Sequence, residues 1–265
     1  MGTPEGVTAA AGAGTRLRLM SYNIQAGIET RYYHEYITRG WRHLLPDARR
    51  LPNLERIGEL ISDFDIVGLQ ELDAGSLRSG FVNQTAFLAR RGEFPYWHFQ
   101  TNRRIGQLAQ HSNGLLSRYR PLEVREHRLP GMIPGRGALS LRFGGPGEDL
   151  TVVLLHLALG QRTRLRQLGY VAELIDGCPH VIIMGDLNCH SRSAEMAYLR
   201  ANTHLREPLH DLLTYPSWRP ARNIDHILVS PSVRVHHAEV LDYPLSDHLP
   251  ITMEVELDPV VQLVA

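Results

Sequence analysis

Six stretches of the chain are nearly continuous apolar runs that end in polar residues: Leu17 to Ile24, Ile66 to Glu71, Gly114 to Ser117, Thr151 to His156, Val181 to Asp186 and Ile224 to Ser230. Their shortness and their Val, Ile and Leu content predict strands buried on both faces. Such strands need helices or a second sheet as cover. Helical spacing identifies part of that cover. Asn53 is placed to cap a segment with Leu54, Ile57, Leu60 and Ile61 on one face, and Leu165, Leu168, Val171, Leu174 and Ile175 line another that stops at Gly177. Further helices are expected near Asn83 and after Ser193. The rest of the second half reads as strand, turn and strand, broken by prolines at 208, 216, 220, 231, 244 and 250, which predicts a mixed sheet. The stretch from Glu29 to Arg50 is irregular, yet it carries Tyr32, Tyr33, Tyr36 and Trp41 among Arg31, His34, Arg39, Arg42 and His43. An ordinary loop does not need that content.

Composition narrows the setting. At 265 residues the chain can bury one full-sized core, and we expect a single domain over residues 15–265 behind a flexible tail of residues 1–14. That tail is small and Gly-rich and lacks the basic start and Leu-rich middle of a secretory signal. No apolar run approaches the roughly 20 residues of a membrane-spanning helix, so a soluble protein is expected. Lys plus Arg and Asp plus Glu balance at 28 each, which gives no overall pull toward nucleic acid or acidic membrane; a basic patch would have to be local. Two cysteines, Cys178 and Cys189, are too few for a disulfide framework and point to a reducing compartment, the cytoplasm. Nothing suggests a protein partner, and a monomer is expected.

The candidate chemistry lies where the apolar runs stop. Asn23 ends SYN, Glu71 ends VGLQE, His156 ends VVLLH, and Asp186 and Asn188 follow VIIM in GDLN. Asp225 opens DHILVS, and Asp247 and His248 stand in LSDHLP just before another apolar run. Ligand sites of α/β proteins collect beyond strand ends, so these groups are expected to converge. Carboxylates and carboxamides with no cysteine ligand form a hard oxygen site suited to Mg²⁺ or Mn²⁺ rather than zinc. Such an ion neutralises phosphoryl oxygens while an Asp orients or deprotonates water and an Asp-held His donates a proton.

Taken alone, each residue also has a plain structural reading. Asn23 caps a turn, Glu71 is a surface acid, GDLN is a tight turn, and His156 is a buried imidazole with its nitrogens satisfied. Cys189 reads as a small buried thiol, and His111 has no role beyond its nearness to NGLLSR. Arg136 in PGRGAL either solvates a turn or grips a phosphate.

In their order along the chain, SYNIQAG, LQELD, HSNGLLSR, LLHL, GDLN, NIDHILVS and SDHLPI resemble the endonuclease/exonuclease/phosphatase superfamily over about residues 16–257. The resemblance implies a four-layer α/β/β/α sandwich of two packed mixed sheets flanked by helices, with the site at one edge. It makes Glu71 the principal metal ligand, with Asn23 and Asp247 beside it. It makes Asp186 the group that positions or activates water, Asn188 and His156 the phosphate contacts, and His248, oriented by Asp225, the second imidazole. The implied activity is divalent-metal-dependent hydrolysis of phosphate esters. LLHL and YNIQAG look more like the branch of sphingomyelinases, deadenylases and phosphatases than like abasic-site repair nucleases. A small or lipid phosphodiester is therefore the leading substrate, with a DNA or RNA nuclease as the alternative and a catalytically silent binding module as a third. Tyr32, Tyr33, Arg42 and Arg136 are the candidate substrate contacts.

Overall fold

The computed structural model describes residues 14–28, 49–131, 135–145, 148–208 and 211–265. In chain order its strands are β1 (Arg16–Asn23), β2 (Ile66–Asp73), β3 (Tyr96–Ile105), β4 (Ala109–Ser117), β5 (Glu123–Arg128), β6 (Gly137–Gly145), β7 (Glu148–His156), β8 (His180–Asp186), β9 (Asp225–Val229), β10 (Arg234–Val240) and β11 (Ile251–Glu256). Its helices are α1 (Arg50–Ile61), α2 (Gln84–Arg91), α3 (Gln161–Leu174) and α4 (Ala194–Asn202). One sheet has six strands in the order β10-β11-β1-β2-β4-β3, and the other has five in the order β5-β6-β7-β8-β9. In each sheet one pair is parallel, β1 with β2 and β7 with β8, and α1 and α3 make the crossovers that parallel neighbours require. The remaining pairs are antiparallel, so both sheets are mixed as expected. Among the described residues no helix is long and apolar enough to cross a membrane.

Three apolar clusters define four layers. Leu17, Leu19, Ile66 and Leu115 of the first sheet meet Leu139, Leu141, Leu154, Ile182 and Met184 of the second. Met20, Tyr22, Val67 and Leu69 face the other way, onto Leu54 and Ile57 of α1 and Leu88 of α2. Val153, Leu155, Val181 and Ile183 do the same with Leu168 and Val171 of α3 and Met196 and Leu199 of α4. Continuous apolar runs therefore mark strands covered on both faces. The sheets approach closely at Gly68, where a Cβ would stand 2.7 Å from the Leu154 and Met184 side chains.

Some expectations require correction. Helix α1 begins at Arg50, so Asn53 lies inside its first turn instead of capping it. Its buried amide donates to the carbonyls of Gly27 and Leu245, at 3.1 and 2.8 Å, and ties the helix to the loops beside the cleft. Asn83 and Ser193 do cap their helices, accepting from the amides of Ala86 and Met196. Strands β3, β5, β6 and β10 have no counterpart among the apolar runs. The first, second and fourth are sheet edges with charged, solvent-facing positions. The third, GALSLRFGG, alternates: Leu139, Leu141 and Phe143 enter the inter-sheet core, while Arg142 pairs outside with Asp149 and Glu123.

Candidate active site

The alternation of side chains along a strand builds the site. On β7 the inward row is Leu150, Val152 and Leu154, so His156 follows them between the sheets. On β8, Ile182 and Met184 lead to Asp186; on β9, Asp225 precedes Ile227 and Val229; on β1, Leu17 and Leu19 lead through Ser21 to Asn23. Each inward row passes from apolar to polar at the same end of the sandwich, and these side chains meet there.

Glu71 arrives by a different route. Strict alternation along β2 would send Gln70 inward and Glu71 outward with Leu69. Gln70 is inside, donating to Ser21 Oγ at 3.2 Å. A bulge interrupts the β2–β4 ladder between Leu69 and Leu72, and Glu71 adopts φ +56. The extra residue turns the carboxylate back into the cleft, where Oε1 lies 3.8 Å from His156 Nε2 and the side chain remains 35% exposed at the mouth.

Asp186 is central. Its Oδ2 accepts from Asn23 Nδ2 at 3.1 Å across the two sheets and lies 3.5 Å from His156 Nε2 and 3.9 Å from His248 Nε2. Its Oδ1 accepts the backbone N–H of Asn188 at 2.9 Å. Gly185, at φ +142, permits this end of β8: a Cβ there would lie 2.0 Å from the Leu155 carbonyl oxygen. Asn188 stands at φ +51 with its amide on the Leu157 carbonyl at 3.0 Å. Asp225 Oδ2 accepts from His248 Nδ1 at 2.8 Å and from Thr214 Oγ1, and the Tyr215 ring packs 4.8 Å from the His248 ring. Asp247 is steered by Gln25 Nε2 at 3.0 Å and by Ser246 Oγ at 3.2 Å. Arg136 Nη1 donates to His156 Nε2.

Electrostatics separates the roles. Burial, reinforced by Asp225, raises the Asp186 carboxyl to about 7, and burial with the nearby Glu71 raises Asp247 to about 6. The two imidazoles diverge. Burial, Arg136 and His248 keep His156 well below the usual histidine range, and the bond from Arg136 requires a lone pair on Nε2. Burial opposes charge on His248 as well, but the Asp225 carboxylate overrides it and holds the imidazolium well above that range. His111, which sequence reasoning left without a role, is pressed to about 4 by burial and Arg78 and lies within the field of Glu71. Cys189 is buried with its thiol pushed up to about 12, which makes it a packing residue.

The donor set fits a hard divalent cation. Glu71, Asp186, Asp225 and Asp247 share the cleft with the Arg136 guanidinium and the His248 imidazolium, so negative charge is in excess; burial first, and the neighbouring carboxylates second, raise Asp186 and Asp247. One oxygen of Asp225, Oδ1, is buried without a hydrogen bond among the described residues. Ligand atoms of Asp186, Asp225 and His248 lie within 4.8 Å of one another, although His248 and Asp225 already bond to each other.

The structure thus brings together Asn23, Glu71, Arg136, His156, Asp186, Asn188, Asp225, Asp247 and His248, while Tyr32, Tyr33 and Arg42 lie outside the described residues. Sequence reasoning missed Gln25, Thr214, Tyr215 and Ser246. Gln25 and Ser246 stand inside SYNIQAG and LSDHLP and were within reach of the motif argument, whereas Thr214 and Tyr215 come from a loop without a signal.

Comparison with known proteins bears on the fold and the family. Similar solved structures include an endonuclease/exonuclease/phosphatase from Beutenbergia cavernae, at 22% identity and TM-score 0.71 over 91% of this chain and 72% of that one. A mannosyl-6-phosphatase from Bacteroides thetaiotaomicron aligns at 19% identity and TM-score 0.65 over 90% and 99%. The human Nocturnin catalytic domain aligns at 18% identity and TM-score 0.65 over 91% and 93%. These likenesses concern the fold. No curated protein sequence matches the chain. Residues 20–248, which run from β1 to His248 and enclose every assembled site residue, match the sequence profile of the Endonuclease/Exonuclease/phosphatase family, and the chain belongs to that family.

Proposed function

We propose that this protein hydrolyses phosphate esters with a bound divalent cation, and that its substrate is a small or lipid phosphodiester. One observation carries the reading: Asp186, poised near neutrality, faces the Nε2 atoms of two imidazoles in opposite protonation states, at 3.5 Å from His156 and 3.9 Å from His248. A carboxylate in that position takes the proton of an attacking water as its oxygen bonds to phosphorus. His248, kept charged by Asp225, donates at Nε2 to the phosphoryl or departing oxygen as the ester bond breaks. Arg136, set between Glu71, Asp186 and His156, is the guanidinium for the remaining phosphoryl oxygens. Asn23 and Asn188 hold Asp186 in place from either side.

Glu71, with Asn23 and Asp247, is the set we assign to Mg²⁺ or Mn²⁺, because Glu71 lies open at the mouth and Gln25 and Ser246 orient Asp247 toward the cleft. When bound, the ion supplies positive charge to the phosphoryl and departing oxygens. A nuclease is the second reading, favoured by exposed Arg103 and Arg104 on β3, which offer local contacts to a phosphate backbone. The complete set of acids and imidazoles argues against a silent binding module.

The test is a panel of bis-p-nitrophenyl phosphate, sphingomyelin, phospholipids, inositol phosphates and single- and double-stranded nucleic acid, run with Mg²⁺, Mn²⁺ or chelator. Metal-dependent turnover of the aryl diester and of a lipid or small diester is expected. Turnover of nucleic acid alone would transfer the assignment to the nuclease, and activity unaffected by chelator would remove the metal.

A further inference from the structure

Behind the Asp186–Asn188 loop, on the face of β9 opposite Asp225, lies a buried polar chain that the reaction does not use. His226 is 1% exposed; its Nε2 is 2.8 Å from the Cys189 carbonyl oxygen and its Nδ1 is 2.7 Å from Glu207 Oε1. A carbonyl only accepts, so Nε2 carries a hydrogen. Glu207 Oε1 also accepts from Ser191 Oγ at 2.7 Å, and against the effect of burial the Glu207 carboxylate raises His226 above the usual histidine range, which places a second hydrogen on Nδ1. The ring is therefore an imidazolium paired with a carboxylate. Asn223 Nδ2 donates to Ser191 Oγ, and Asn223 Oδ1 accepts from His190 Nδ1 at 2.9 Å, which extends the chain to the surface.

We propose that the His226–Glu207 pair is a positioning device that holds the Asp186–Cys189 loop in its working conformation. Asn188 occupies the left-handed region at φ +51, which asparagine tolerates better than most residues but which is still held here by its surroundings. Three bonds do so: Leu187 N–H to the Ile224 carbonyl at 2.8 Å, Asn188 Nδ2 to the Leu157 carbonyl at 3.0 Å, and His226 to the Cys189 carbonyl. The first two come from neighbouring strand ends. The third is a charge-assisted side-chain bond whose direction Glu207 sets. A buried ion pair adds little net stability after desolvation, so its effect here is directional. If the loop relaxes, the N–H of Asn188 leaves Asp186 Oδ1, and the carboxylate loses its aim at the water.

The catalytic part of this inference rests on the proposed hydrolase reading, so the test has two readouts. With bis-p-nitrophenyl phosphate and Mg²⁺, His226→Ala should lower kcat by about 30-fold or more while KM stays within about threefold, and His226→Gln, which restores an N–H toward the Cys189 carbonyl, should recover about tenfold. In amide hydrogen exchange, peptides covering 186–190 should exchange at least about tenfold faster in His226→Ala, with β1 and β11 unchanged. A folded His226→Ala protein with wild-type kcat, or with exchange raised uniformly, would overturn the positioning role. If His226→Ala does not fold, Glu207→Gln decides: about fivefold lower kcat with the same local exchange supports the device, and unchanged kcat refutes it. If the wild-type protein turns over no phosphodiester, the hydrolase reading fails, and the exchange result alone decides whether the loop is clamped.

Discussion

Loading a divalent cation into the cleft at pH 6.5 should release about one proton per ion, and at pH 8 about one tenth of a proton, as the raised carboxyls require. With Asp186 at about 7 and Asp247 at about 6, roughly three quarters of the first group and one quarter of the second are protonated at pH 6.5; at pH 8 both are almost fully ionised. The protons are held by burial and by the repulsion of carboxylates crowded together, and a doubly charged ion reverses that balance. His248 keeps its proton, because its bond to Asp225 does not depend on the ion. Calorimetry in buffers of different ionisation enthalpy measures the number directly. Asp247→Asn should lower the release at pH 6.5 by about a quarter of a proton. Equal release at both pH values, or less than about 0.2 proton at pH 6.5, would refute the reasoning. Between 3.8 and about 7 the folded metal-free protein holds more protons on Asp186 than the unfolded chain does, so that group's contribution falls as pH rises. His156 and His111, depressed in the fold, act oppositely below 6.5, where the unfolded chain binds the extra protons. As pH rises past 6.5 the opposing contributions of His156 and His111 fade while those of Asp186 and His248 continue to fall, so the metal-free Tm should drop toward pH 8 and Mg²⁺ should restore it.

Other tests address single residues. Glu71→Gln should weaken Mg²⁺ binding by at least about tenfold in calorimetry, and unchanged affinity would remove Glu71 from the metal set. Asp186→Asn and His248→Ala should fold normally and lose about 10²- to 10⁴-fold in kcat, more than in substrate binding; near-normal turnover in either would end its catalytic role. Arg136→Ala should raise KM about tenfold with a smaller change in kcat, read from steady-state kinetics on an aryl diester. Replacing Tyr32, Tyr33 and Arg42 together with Ala should leave the aryl diester nearly untouched and cost the preferred substrate about tenfold in kcat/KM, near 1.4 kcal/mol. Parallel losses on both substrates would make that stretch a support of the core instead of a specificity element.

The apolar runs declared β1, β2, β4, β7, β8 and β9, because a strand covered on both faces has almost no polar positions, and their polar ends gave Asn23, His156, Asp186 and Asp225, with His248 in the polar segment just before β11. The edge strands β3, β5 and β10 were not legible, since half of an edge strand meets solvent and its charged residues resemble those of a loop. The sequence also could not say which way Glu71 points: period-two counting puts it on the helix face, and only the bulge at Leu69–Leu72 with the left-handed backbone at Glu71 turns it into the cleft. The pairing of Asp225 with His248 across 23 residues came only through the family resemblance, and no residue pattern chose opposite charge states for two buried imidazoles. Local pattern reports whether a side chain is buried. Which carboxylate or guanidinium it is buried beside depends on two sheets closing face to face, and that contact decides whether a histidine keeps or loses its proton.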